Sequence, residues 1–380
     1  MADSMTPRQR LLTALNHARP DRVPIDLGGV VTGIHRFAYD RLKDALGIAE
    51  PTEIMDFKQQ LAQPSEELLT RLGVDTRYVS TGSRSGAGLE IREDQDSYNY
   101  TDDWGIEWKM PKANALYFDM VSHPLAGLSA ADLDHYDWPE QYTAAGVADL
   151  EQSARDLHEN TDYAVVFFGS ASFFEFAWYL RGFENYLMDL VTDEVFVNKF
   201  LDKLLELHLS AWEAYLPAAG QYLDIVQLAD DFGHQGGPMM SLGIFDKFIK
   251  PRQKEVISFV KARTEARIFF HTCGSVRQFI PSLIENGVDA LNPVQVGAAD
   301  MDPAELKAEF GDRISFWGGI DTQQVLPYGT PEQVAAETKR ILEVLGAGGG
   351  YVLNSVHNIQ ADVPADNIIA MFDTARQYRY

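Results

Sequence analysis

Short apolar runs alternate along the chain with longer segments whose apolar residues recur every three or four positions. The runs fall at residues 22–28, 76–80, 163–169, 224–230, 267–271, 289–293, 313–318 and 350–355. Runs this short, rich in Val, Ile, Leu and Phe and bounded by turn residues, read as strands buried on both faces. The longer segments, at residues 7–16, 183–215, 244–266, 275–286 and 331–345, carry helical spacing. Asp302 followed by Pro303 marks another helix start, because Pro fits the first turn. Gly346, with Gly348, Gly349 and Gly350 behind it, ends the last interior helix. Eight strands alternating with helices predict an α/β chain, a single (β/α)8 TIM-type barrel domain over residues 1–380. The competing architecture is an open doubly wound sheet. The strand count, and the lack of a glycine-rich phosphate turn after a strand, weigh against it.

One stretch breaks the alternation: residues 82–161, between the second and third strands. Within it, residues 97–109 alternate in polarity and are rich in aromatics, which predicts a β-hairpin insertion after strand 2. The stretch is too long for an ordinary loop, so it is expected to serve as a lid or a partner surface.

Composition narrows the class. With 46% hydrophobic residues in 380, the chain can bury a large core. It carries 56 acidic residues against 32 Lys plus Arg, a net charge of -24. Such a surface repels phosphate backbones, so no nucleic-acid partner is expected. No apolar run approaches a bilayer span, and residues 1–22 are polar and charged, so no membrane association is expected. The single cysteine excludes an intrachain disulfide and fits a reducing, cytoplasmic setting.

That cysteine is Cys273, two positions after His271 and just past a buried run. Residues i and i+2 of an extended chain point to the same side, so an imidazole and a thiolate can meet at one point. The pair suggests a zinc site or a reactive thiol. A lone Cys packed as a small hydrophobe beside a hydrogen-bonded His is the alternative. In a barrel, catalytic groups sit at the C-terminal ends of the strands. The strand assignment puts Asp26, Asp230, Asp231, Asn292, Asp321, Asn354 and His357 there together with His271 and Cys273. Asp231 is the preferred carboxylate to complete a ligand set, though an Asp at this position also suits a helix cap. His35 and His234 fall on rim loops as candidate substrate contacts. Phe173, Phe174, Phe176, Trp178, Tyr179 and Trp317 crowd the same face. Of these, Phe173, Trp178 and Trp317, with the polar Asp26 and Asn354, are assigned to a pocket suited to an apolar or methyl-bearing group. No P-loop, dinucleotide fingerprint or Ser-His-Asp signature is present.

Five stretches carry a family resemblance: residues 8–24, 230–238, 271–274, 316–321 and 353–368. In them the chain resembles the uroporphyrinogen decarboxylase superfamily, which also contains cobalamin-dependent methyltransferases acting on corrinoids and thiols. The resemblance implies a (β/α)8 barrel and makes a homodimer the expected assembly. It also separates two branches. Decarboxylases of the family carry an arginine-rich loop after strand one that grips a polyanionic tetrapyrrole; residues 27–36 hold Arg36 alone. The methyltransferase branch carries zinc on His-x-Cys after strand five and a second Cys after strand eight. His271 and Cys273 match the first part, and His357 stands where the second Cys would be. A histidine in that closing turn is itself a decarboxylase trait.

The resemblance therefore implies Zn2+ on His271, Cys273 and His357, with Asp231 and His357 as catalytic groups. The activity implied is methyl transfer between a methylated corrinoid, or a methylated small molecule, and a thiol or other acceptor. The corrinoid would be carried on a partner protein or be the substrate itself. Two other readings stay open. One is a decarboxylase of a small or pyrrolic carboxylic acid, in which His357 and Asp26 or Asp56 help protonate a carbanion-like intermediate. The other is a non-catalytic corrinoid- or tetrapyrrole-binding protein.

Overall fold

Seven parallel strands lie side by side in chain order in one curled sheet. They are β1 (Thr76–Val79), β2 (Ala164–Phe168), β3 (Ile225–Ala229), β4 (Arg267–His271), β5 (Ala290–Asn292), β6 (Ser315–Trp317) and β7 (Tyr351–Val352). The computed structural model describes residues 4–82, 88–169 and 171–380. Residues 83–87 of the expected insertion, and Ser170, lie outside the described residues. Sequential strands that pair in parallel, with helices between them, give the α/β barrel of TIM type.

The expected first strand, 22–28, is reduced to a single rung: Ile25 bridges Leu353 in parallel. The physical reason lies in its donors. Pro24 has no N–H, and the Ile25 N–H goes to the Asp75 carboxylate at 2.8 Å rather than along a ladder. The segment still closes the ring. Leu353 N donates to Pro24 O at 2.8 Å on one side, and Asp75 N donates to Ile25 O at 2.8 Å on the other. Asp75 is held from below by Arg10 at 2.5 Å and Arg22 at 2.7 Å, all three groups buried.

Side chains alternate along the strands as the pleat requires. Ala164, Val166, Ile225, Phe269, Trp317 and Val352 fill the barrel interior as one cluster. Their neighbours Val165, Val226, Leu228, Ile268 and Phe270 belong to the larger core shared with the helices. Of the expected helices, 331–345 matches Pro331–Leu345. The expected 183–215 helix is two, Phe183–Thr192 and Glu194–Ala219. Asp193 divides them by leaving helical geometry and capping Phe196 N at 2.9 Å. The 275–286 segment is a 3-10 turn over Arg277–Phe279 that runs into an α-helix over Ile280–Asn286, with Pro281 in its first turn.

Within the region after β1, four short strands between Arg92 and Met120 form an antiparallel sheet. Ser97–Thr101 pairs with Glu107–Pro111. The turn between them is tied by Asp102, whose Oδ1 accepts from Trp104 N and Ile106 N, both at 3.0 Å. Tyr100 and Trp108 of this sheet, with Phe118 just before its last strand, join the main core. No helix among the described residues is long and apolar enough to cross a membrane.

Candidate active site

The loop after β4 is shaped by contact with the loop after β3. Gly274 has φ +86°, and a Cβ there would come within 2.3 Å of the Gly233 backbone. Only glycine permits that approach. Ser275 N then donates to His234 O at 3.0 Å. Cys273 N donates to Asp231 Oδ1 at 2.7 Å, which fixes the cysteine over the end of the barrel.

His271 is oriented from behind. Asn292 donates its amide to Trp317 O at 3.0 Å, so its Oδ1 is left to accept from His271 Nδ1, 2.5 Å away. That assignment puts the imidazole proton on Nδ1 and leaves Nε2 as a lone-pair donor. Nε2 lies 3.3 Å from Cys273 Sγ and 3.7 Å from Asp231 Oδ1. His357, from the turn after β7, brings its ring centroid to 5.2 Å from that of His271. One donor atom each from His271, Cys273 and His357 fall within 4.8 Å of one another.

Burial sets the electrostatics of this trio. Burial lowers the His271 pKa to about 4, opposed only by the Asn292 hydrogen bond. Burial, and then His271, lowers that of His357 to about 3. Both rings are therefore neutral near pH 7 and able to donate a lone pair. Burial, followed by the charges of Asp231 and Glu175, pushes the Cys273 thiol well up. Two neutral imidazoles and a thiol that does not ionise unaided form a donor set a divalent cation would complete. Beside it sits a carboxylate pair. Burial raises Asp231 to about 6, and burial plus Asp231 raises Glu175 to about 7. Tyr179 donates its hydroxyl to Glu175 at 2.5 Å.

Two cavities meet at the trio. The larger, about 1080 Å³, has His271, Asp231 and Glu175 in its wall; the smaller, about 480 Å³, has Cys273. His357 and Gln360 line both. His35 and Trp178 line the larger and His234 the smaller. Four other predicted contacts lie in neither wall. Asp26 is buried and accepts from Trp317 Nε1 at 2.9 Å and Tyr78 OH at 3.1 Å. Asn354 donates to Asp26 O at 2.6 Å. Phe173 packs on His208 and Trp317 on Phe269. These four hold the scaffold, because the inward side of a barrel strand below its end is packed rather than open. Asp230 likewise turns away: it caps the chain entering the helix Glu175–Arg181, accepting from Phe173 N at 2.8 Å and Glu175 N at 2.6 Å.

Sequence reasoning missed Glu175, Lys58 and the glutamines Gln235, Gln295, Gln323 and Gln360. For Glu175 a signal existed: an acid embedded in the aromatic run 173–179 at a loop-to-helix junction. Neutral amides and a lysine near the insertion gave none.

The chain matches the family described as "Uroporphyrinogen decarboxylase (URO-D)" over residues 107–378. It belongs to the uroporphyrinogen decarboxylase family. The matched span holds Glu175, Asp231, His271, Cys273 and His357. Curated relatives in the family fall in two groups. A uroporphyrinogen decarboxylase of Psychromonas ingrahamii is 28% identical over 45% of this chain and 45% of its own length. A methylcobamide:CoM methyltransferase of Methanosarcina mazei is 26% identical over 54% of this chain and 56% of its own length. The chain thus spans about half the length of the curated relatives it matches. Among solved structures, a methyltransferase from Methanosarcina mazei shares the fold, with a TM-score of 0.62 at 19% identity, covering 98% of this chain and 99% of that one.

Proposed function

We propose that this family member is an enzyme of zinc-dependent methyl transfer, moving a methyl group between a methylated corrinoid or methylated small molecule and a thiol. The observation that carries the reading is the convergence of His271, Cys273 and His357 donor atoms within 4.8 Å where two cavities meet. These three residues would hold the ion, and His357 takes the place of a second thiolate. Zinc bound there would favour ionisation of the acceptor thiol. The rest is done by the protein. Asn292 fixes the His271 tautomer. Asp231, raised to about 6 and adjoining Cys273, is placed to take the proton that the thiol loses. The two cavities allow donor and acceptor to approach from different sides. A soluble corrinoid-carrying protein is the partner that this reading calls for, by analogy with the methylcobamide-dependent relative.

The test is metal analysis of the purified protein, followed by mixing with methylcobalamin and a panel of thiols while the corrinoid spectrum is recorded. Zinc near one per chain, and thiol-dependent demethylation abolished by His357→Ala, is the expected result. A protein unable to bind zinc would sink the proposal. Spectral change without turnover would point instead to a corrinoid-binding protein.

Decarboxylation of a small acid is the second reading, favoured by Asp56 and Lys58 in the wall of the larger cavity. Metal-independent release of carbon dioxide would establish it.

A further inference from the structure

The larger cavity has an unusual balance of charge for a family whose decarboxylases act on an anion. Its wall holds seven carboxylates (Asp56, Asp102, Asp103, Asp119, Glu140, Glu175 and Asp231) against one lysine, Lys58. That lysine has settled on aromatic faces. Its ammonium lies 4.8 Å from the ring centroid of Trp108 and 5.2 Å from that of Tyr179. Glu175 and Asp102 both feel its charge. Trp108 and Tyr179 meet edge to face at 6.1 Å, forming two walls of a box. A box of electron-rich faces backed by carboxylates is the arrangement that binds alkylated ammonium groups. Here one ammonium, supplied by the chain itself, already occupies it. Trp178 lines the same cavity, and its indole nitrogen is buried without a hydrogen-bond partner among the described residues. An oxygen acceptor on the ligand would satisfy it.

We propose that the larger cavity receives a quaternary methylammonium compound bearing an oxygen acceptor, its cationic head displacing Lys58 from the Trp108–Tyr179 box. This rests on the methyl-transfer reading, which it deepens by naming the methyl donor. The box adjoins the reactive end of the barrel. Tyr179 bonds Glu175, Glu175 interacts with Asp231, and Asp231 touches Cys273 N and lies 3.7 Å from His271 Nε2. In the transfer, the acceptor thiolate's electron pair forms the new sulfur–carbon bond. The carbon–nitrogen pair stays with nitrogen, giving a neutral tertiary amine. One anion and one cation become two neutral products, so no oxidant or reductant is needed. The neutral amine loses its attraction to the box, which favours release.

The sign of the Lys58 effect tests the idea. Choline is titrated into wild type, Lys58→Met and Glu175→Gln, with tryptophan fluorescence as the readout and circular dichroism to confirm folding. Choline should bind saturably, about tenfold tighter in Lys58→Met, and its uncharged tert-butyl analogue about tenfold more weakly than choline. Glu175→Gln should weaken choline binding by a similar factor. Absence of saturable binding in both wild type and Lys58→Met would overturn the proposal. So would equal binding of the uncharged analogue, or benzoate binding that is lost in Lys58→Met. The assay needs neither zinc nor turnover. Failure here with zinc-dependent demethylation of methylcobalamin intact would remove this inference alone. Choline binding without any methyl transfer would remove its role as donor.

Discussion

At the scale of single residues, the site depends on which nitrogen of His271 carries the proton. Asn292 decides it, because its amide is already committed to Trp317 O and can only accept from the ring. Asn292→Ala should free the ring to rotate and change tautomer. Zinc affinity is then expected to fall roughly 10–100-fold with little loss of stability, as measured by competition with a chromogenic chelator. Unchanged affinity would mean that His271 is not a ligand. This dependence could not be read from the chain. Asn292 was legible as a rim residue, but its partner choice depends on Trp317, 25 positions away. Conversely, His271 and Cys273 were legible because their two-residue spacing is itself the geometry.

At the scale of elements, two junctions hold the site. The first is the backbone contact between Gly274 and the Gly233 loop. Gly274→Ala would force a left-handed residue against backbone, at a cost of roughly 1–3 kcal/mol. A lower urea midpoint together with weaker zinc binding is expected. A stability loss without any change in zinc binding would show that the loop does not position Cys273. The second junction is the helix Glu194–Ala219, where buried His208 bonds Ser172 O at 3.0 Å beneath the loop that leads to Glu175. Burial lowers the His208 pKa from 6.5 to about 4. The unfolded chain then binds more protons than the folded one between those values. His208 therefore leaves full stability above about pH 6.5 and removes it as pH falls toward 4, by on the order of 3 kcal/mol. In urea titrations, His208→Gln should flatten the slope of stability against pH in that window. An unchanged slope would assign the acid sensitivity to other groups. Periodicity revealed this helix but merged it with its neighbour, since Asp193 interrupts the backbone without interrupting the apolar spacing.

At the scale of the whole molecule, charge argues against a polyanionic substrate. The net charge of -24 is carried into the larger cavity, where seven carboxylates face one lysine. An octacarboxylate such as uroporphyrinogen would meet like charge at every side. We expect no decarboxylation of uroporphyrinogen above background, monitored by chromatography of the oxidised porphyrins; appearance of the four-carboxylate product would refute the charge argument. Here composition and structure agree for different reasons. Composition states an excess of acid, while only the fold shows that the excess lines the cavity rather than the outer surface alone.

By itself the sequence determined the alternation of strands and helices, the barrel and the His271–Cys273 pair. Each of these is local: apolar period, turn residues and a two-residue spacing are properties of neighbours along the chain. The tertiary structure decided the rest. It turned Asp230 into a cap and Asp26 into a packed strand anchor, although both stand at strand ends. It brought His357 to His271 across the barrel and added Glu175 and Lys58 to the cavity wall. Which way a carboxylate turns at a strand end depends on the N–H groups that another segment offers. That choice is made between residues far apart in the chain, so no local pattern records it.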